Sequence, residues 1–243
     1  MSEKTASSFA DVEAIFAPTH VRLPIRPDGN CFFASLAAFF QITAHPLAGK
    51  TELELRNILV ETMLPNIKDL LPYVAREYKV KNPTLVLRYK TAFVTTEVKK
   101  LRRPFVYDTD LGDIVPQEST RAFGIRLVIH DWNWNTMRAD VYFLDPPVIV
   151  SDLPTIHLLR TNENHYDLLL PLSEMNGPRF EIYETLRAMF EADVAEEQAE
   201  EAADAVETAE ANENVPNLIA ALQRSGVEEV QPSLCCGVRT TAV

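Results

Sequence analysis

The chain has 243 residues, 47% of them hydrophobic, which suits one domain with a buried core and excludes full disorder. Its 35 acids against 23 bases leave a net charge of −12, so the mean field repels a phosphate backbone and argues against generic nucleic-acid binding. Three cysteines with no CxxC pair exclude a disulfide scaffold and a Cys-pair zinc site, and seven scattered glycines form no GxxxxGK or GxGxxG phosphate loop.

The first segment, 1–19, reads as a lead-in. It carries no long apolar run, so no signal peptide is expected, and no later stretch has the roughly eighteen apolar residues of a membrane span. The expected setting is cytoplasmic and reducing, a host cytosol if the protein is a viral or bacterial effector.

Leu23, Ile25 and a turn at Pro27-Asp28-Gly29-Asn30 lead to Cys31. Phe33, Leu36, Ala37 and Phe40 then recur at i, i+3, i+4 and i+7, which predicts a helix with a wide buried face. Thr51 predicts the cap of a second helix to about Met63, with Glu54 placed for a capping box. A third helix is expected over 66–78. Pro83 and Pro104 predict a largely irregular 80–120 with short helices. IRLVIHD, ADVYFLD, TIHLLR and HYDLLLP read as strands, bounded by Asp, Asn and Pro. Helices first, then strands, then a helix from about Phe180 predict an α+β fold: a small mixed or antiparallel sheet flanked by helices.

Charge divides the chain. Residues 1–190 hold 23 acids and 21 bases, whereas 191–243 hold 12 and 2. The expected organisation is a nearly neutral domain over 20–190 and an acidic Ala/Glu-rich tail over 191–243, helical or disordered, with a short helix near 216–225.

Cys31 follows a tight turn and begins an apolar helix. Backbone N–H groups at a helix start lack intrahelical partners and carry partial positive charge, which favours a thiolate and can bind an oxyanion. Position alone fits a buried structural cysteine equally well. A nucleophilic cysteine also needs a base. His165 enters an apolar strand, and Asp167 at i+2 shares its face and can orient the imidazole. His157 reads as a mid-strand residue, and His130 has no acid at i+2.

PDGNCFFASLAAFF resembles the nucleophile box of the ovarian-tumour (OTU) family of cysteine proteases, and HYDLL resembles that family's second box. The two lie in the expected order, 134 residues apart, within a resemblance covering about 20–172. The resemblance implies a papain-like OTU fold and a deubiquitinase working without metal or cofactor. It makes Cys31 the nucleophile, His165 the general base and acid, and Asp167 its orienting partner. It also has Asp28 shape the loop before Cys31 and place its backbone N–H in the oxyanion hole, with Gly29 and Asn30 completing the loop. Ubiquitin, polyubiquitin or a ubiquitin-like modifier is the implied partner. Glu163, Asn164 and Trp132 are candidates to line its approach, and Trp132, following IRLVIHD, fits a packed strand-end turn equally well. The chain departs from the family's usual pattern at Ala34-Ser35, where an arginine is common, and over 104–124.

Two other readings stay open: a papain-like protease processing a polyprotein, and a catalytically silent OTU-like ubiquitin-binding module. Residues 76–103 hold nine bases and two acids, which reads as a solvated basic face. Leu218, Ala221, Ser225 and Glu228 are spaced as in a ubiquitin-interacting helix or a small amphipathic one. Cys235-Cys236 has no adjoining basic cluster and reads as two incidental thiols.

Overall fold

The computed structural model describes residues 12–72, 91–105, 111, 114–148, 151–161 and 165–192. The chain divides into two units, Met1–Val194 and Ala195–Val243. The second unit lies outside the described residues, and with it the acidic tail, the expected helix near 216–225 and Cys235-Cys236. Glu163 and Asn164 also lie outside them.

A helical turn, α1 (12–16), precedes strand β1 (His20–Leu23). Helices α2 (Cys31–Ile42) and α3 (Glu52–Met63) follow, and a 3-10 turn at Leu64–Asn66 leads into α4 (67–72). Then come α5 (Thr91–Lys100) and α6 (Ile114–Phe123). Strands β2 (Arg126–Asn133), β3 (Arg138–Leu144), β4 (Thr155–Thr161) and β5 (His165–Pro171) complete the sheet, and α7 (177–192) closes the described part.

The five strands form one mixed sheet in the order β1-β5-β4-β2-β3. Among the described residues, only the β2–β4 ladder is parallel. The fold is thus the expected α+β arrangement of a small mixed sheet flanked by helices. The short helices expected within 80–120 are found as two ten-residue helices among its described residues. Pro104 comes only after α5 has ended. Pro116 sits in the first turn of α6, where its missing N–H breaks no intrahelical bond.

Helix α2 is apolar nearly all round because it is buried nearly all round. Phe32, Phe33, Leu36 and Phe40 are fully enclosed, packed with Leu55 and Leu59 of α3 and with Tyr166 and Leu168 of β5. Each such side chain contributes about 1.5–3 kcal/mol of burial. The other sheet face holds a smaller cluster, in which Val12 and Phe16 of α1 cover Trp132, Leu159 and Leu169. The segment expected to be a lead-in therefore supplies part of a core.

Candidate active site

Four pieces of backbone meet at the start of α2. The turn before it is shaped by Asp28, whose carboxylate accepts the Asn30 N–H at 2.8 Å. Gly29 follows at φ +79°, in the left-handed region that favours glycine. A Cβ there would stand 2.5 Å from the Phe105 carbonyl oxygen, so the turn and the chain at Phe105 lie too close for any side chain.

Asn30 occupies the N-cap of α2 yet makes no side-chain cap. Its Oδ1 instead accepts the Phe105 N–H at 3.0 Å and an Arg56 Nη2 hydrogen at 2.8 Å. Arg56, from α3, is fully buried. It also donates to the carbonyls of Gly29 at 2.9 Å and Leu101 at 3.1 Å, and its guanidinium lies 4.4 Å over the Phe33 ring. One side chain thus ties the turn, the first turn of α2 and the 101–105 segment together.

Cys31 is the first residue of α2 and is 2% exposed. Its carbonyl accepts the Ser35 hydroxyl at 2.8 Å, and the same hydroxyl reaches the Tyr166 carbonyl at 3.4 Å, which links α2 to β5. His165 opens β5, so the strand that packs against α2 carries the imidazole to the cysteine. Tyr166 faces α2, with its ring 5.3 Å from that of Phe32. His165 and Asp167 share the opposite side of the strand.

His165 Nε2 lies 3.0 Å from Asp167 Oδ1. Burial works against the imidazolium, but the hydrogen bonds and charges of Asp167 and Cys31 outweigh it and raise the His165 pKa to about 9. With Nε2 on Asp167, the buried Nδ1 is the nitrogen left for the Cys31 sulfur. Asp167 is itself fully enclosed. Its Oδ1 also accepts the Ile25 N–H at 2.8 Å, and its Oδ2 accepts Arg22 Nε and Nη2, each at 2.9 Å. Burial alone would raise the Asp167 pKa. The His165 bond, the Arg22 charge and the Ile25 N–H hold it below the ordinary carboxylate value. Tyr183 of α7 fixes the backbone of β1 by donating to the Arg22 carbonyl at 3.0 Å.

The structure brings Asp28, Gly29, Asn30, Cys31, His165 and Asp167 together. Trp132 is not among them. It is 4% exposed in the cluster beneath α1, with too little surface to line a substrate path. Two residues that hold the site, Arg22 and Arg56, carry weak sequence signals. Arg56 stands on the apolar face of α3 beside Leu55 and Leu59, where a cation is out of place. Arg22 becomes meaningful only once β1 is paired with β5. Chemically, the arrangement is a sulfur at a helix start, a basic imidazole beside it and a buried carboxylate fixing that imidazole. It fits nucleophilic attack on a carbonyl followed by proton transfer.

Searches with family models and among curated proteins find no match for the chain. Solved structures do match. The OTU domain of OTUD1 is 16% identical with a TM-score of 0.49, over 69% of this chain and 99% of that one. An OTU deubiquitinase from Wolbachia pipientis is 16% identical with a TM-score of 0.44, over 67% of this chain and 94% of that one. The Hazara virus OTU, solved bound to ubiquitin, is 16% identical with a TM-score of 0.42, over 65% of this chain and 84% of that one.

Proposed function

We propose that the protein is a cysteine-type deubiquitinase with Cys31 as nucleophile and His165 and Asp167 completing the triad. The observation that carries this reading is the placement of His165 beside Cys31, its Nε2 held 3.0 Å from the buried Asp167 carboxylate, a setting that raises the His165 pKa to about 9. An imidazolium at neutral pH is the partner a thiolate needs. Ubiquitin as the substrate is supported by the DGNC and HYDLL boxes and their order in the chain.

In the first step the Cys31 thiolate forms a C–S bond to the carbonyl carbon of the ubiquitin C-terminal glycine. His165 gives its proton to the departing lysine amine as the C–N bond breaks. Water, deprotonated by His165, then cleaves the thioester and returns the thiolate. Asp167 keeps the ring aligned throughout. The oxyanion draws on N–H groups at the start of α2. In the resting turn the Asp28 N–H donates to the Arg26 carbonyl at 3.0 Å, so it joins the oxyanion hole only when that bond opens.

Ubiquitin dimers of defined linkage test the reading. Wild type cleaves at least one linkage, and His165→Ala lowers turnover roughly 100- to 10,000-fold with the fold intact. Full turnover in that variant points to another base. No cleavage of any dimer by the wild type, together with cleavage of a peptide substrate, favours a peptide-bond protease instead.

A further inference from the structure

On the sheet face away from α2, three histidines from three strands converge: His20 of β1, His130 of β2 and His157 of β4. One ring nitrogen from each lies within 4.8 Å of the other two. None belongs to the Cys31 site, and the sequence gives no motif for them, since they are 110 and 27 residues apart in turn. We propose that this trio binds a transition-metal dication, zinc being the best fit, through three imidazole nitrogens with a fourth position open to water.

The donor set is right for the metal. Imidazole suits zinc, and three protein nitrogens plus a solvent ligand are a recurrent tetrahedral arrangement. The spacing is right at one edge already: His130 Nε2 and His157 Nδ1 are 3.2 Å apart. Two nitrogens bound to one tetrahedral zinc stand about 3.3 Å apart, given Zn–N bonds of about 2.05 Å. The His130 and His157 rings are stacked within 22° of parallel, and His20 lies with its ring centroid 4.9 Å from that of His157.

A metal-ligating imidazole commonly has its other nitrogen fixed by an outer partner. His20 has one. Its Nδ1 lies 2.8 Å from Thr19 Oγ1, and that hydroxyl can donate onward to the Phe16 carbonyl at 3.3 Å. When Thr19 donates to Phe16, its oxygen accepts from Nδ1–H and the Nε2 lone pair is left for a metal. All three side chains are only partly buried, so an ion has a way in. Glu174 lies near enough to act on His20 electrostatically and adds a negative field for a cation. An ion here would tie β1, an edge strand with a four-residue ladder, to β4 and β2 across β5.

The test is cobalt and zinc titration of the metal-free full-length chain. One equivalent of Co2+ should give the visible bands of a tetrahedral nitrogen site without a thiolate charge-transfer band, and Zn2+ should displace it and raise Tm. His130→Phe and His157→Phe keep a ring in the stack and should abolish uptake, with folding checked by circular dichroism. Should either fail to fold, Thr19→Val leaves every ligand in place and should weaken binding roughly 10- to 100-fold. The proposal is overturned by no uptake, by a spectrum dominated by sulfur ligation, or by uptake that survives in every folded variant. Cys31 is not involved, so the outcome is independent of whether ubiquitin is cleaved.

Discussion

Helices α2 and α3 start with equally good capping residues and use them in opposite ways. At α3, Thr51 accepts the Glu54 N–H and Glu54 returns a bond to the Thr51 N–H at 2.9 Å, a complete capping box at the surface. At α2, Asn30 leaves the helix uncapped by its side chain and spends its oxygen on Arg56 and Phe105. The first terminus is closed to stabilise a helix. The second keeps its positive end directed at the sulfur of Cys31, and a buried arginine holds the capping residue away.

The comparison breaks most severely at Arg56. Arg56→Met removes donors from the Gly29 and Leu101 carbonyls and from Asn30 Oδ1, so it should cost about 3 kcal/mol of stability by urea unfolding. Turnover by the folded fraction should fall as well, in kcat more than in KM, because the turn before Cys31 loses its support. A smaller effect comes from pH. His165 has its pKa raised on folding from 6.5 to about 9. Its ion-pair contribution to stability is therefore complete below about pH 6.5 and lost as pH rises through about 9. Activity should hold to about pH 9 and then fall about tenfold per unit as the imidazolium is lost, measured as the initial rate against pH. A flat profile to pH 10.5 would contradict the Asp167 and Cys31 contacts. The smallest effect belongs to the capped helix: Thr51→Ala should cost about 1 kcal/mol in unfolding and leave turnover unchanged.

The parts of this picture that are legible in the sequence are the local ones. The spacing of Phe33, Leu36, Ala37 and Phe40 predicts α2, Thr51 and Glu54 predict a capping box, and the four apolar runs predict β2 to β5 within two residues at either end. Each depends on neighbours in the chain. The parts that are not legible depend on pairing. Strand β1 is four residues long with a charged residue in it, and nothing local marks it as a strand. Without its register against β5, Arg22 cannot be matched to Asp167, 145 residues away. Arg56 likewise meets Gly29 and Leu101 only in three dimensions. Trp132 is half legible: after IRLVIHD it reads as a packed strand-end residue or as one lining a substrate path, and the cover supplied by α1 decides for the core. The three histidines on β1, β2 and β4 become neighbours only through the sheet order.

If the start of α2 presents a reactive sulfur to a ubiquitin C-terminus, a ubiquitin probe carrying a C-terminal electrophile will capture it. One covalent adduct should form on the wild-type chain, mapped to Cys31 by peptide mass and absent from Cys31→Ala. An adduct that persists in Cys31→Ala, or a folded wild-type protein that forms none, would contradict this role for Cys31.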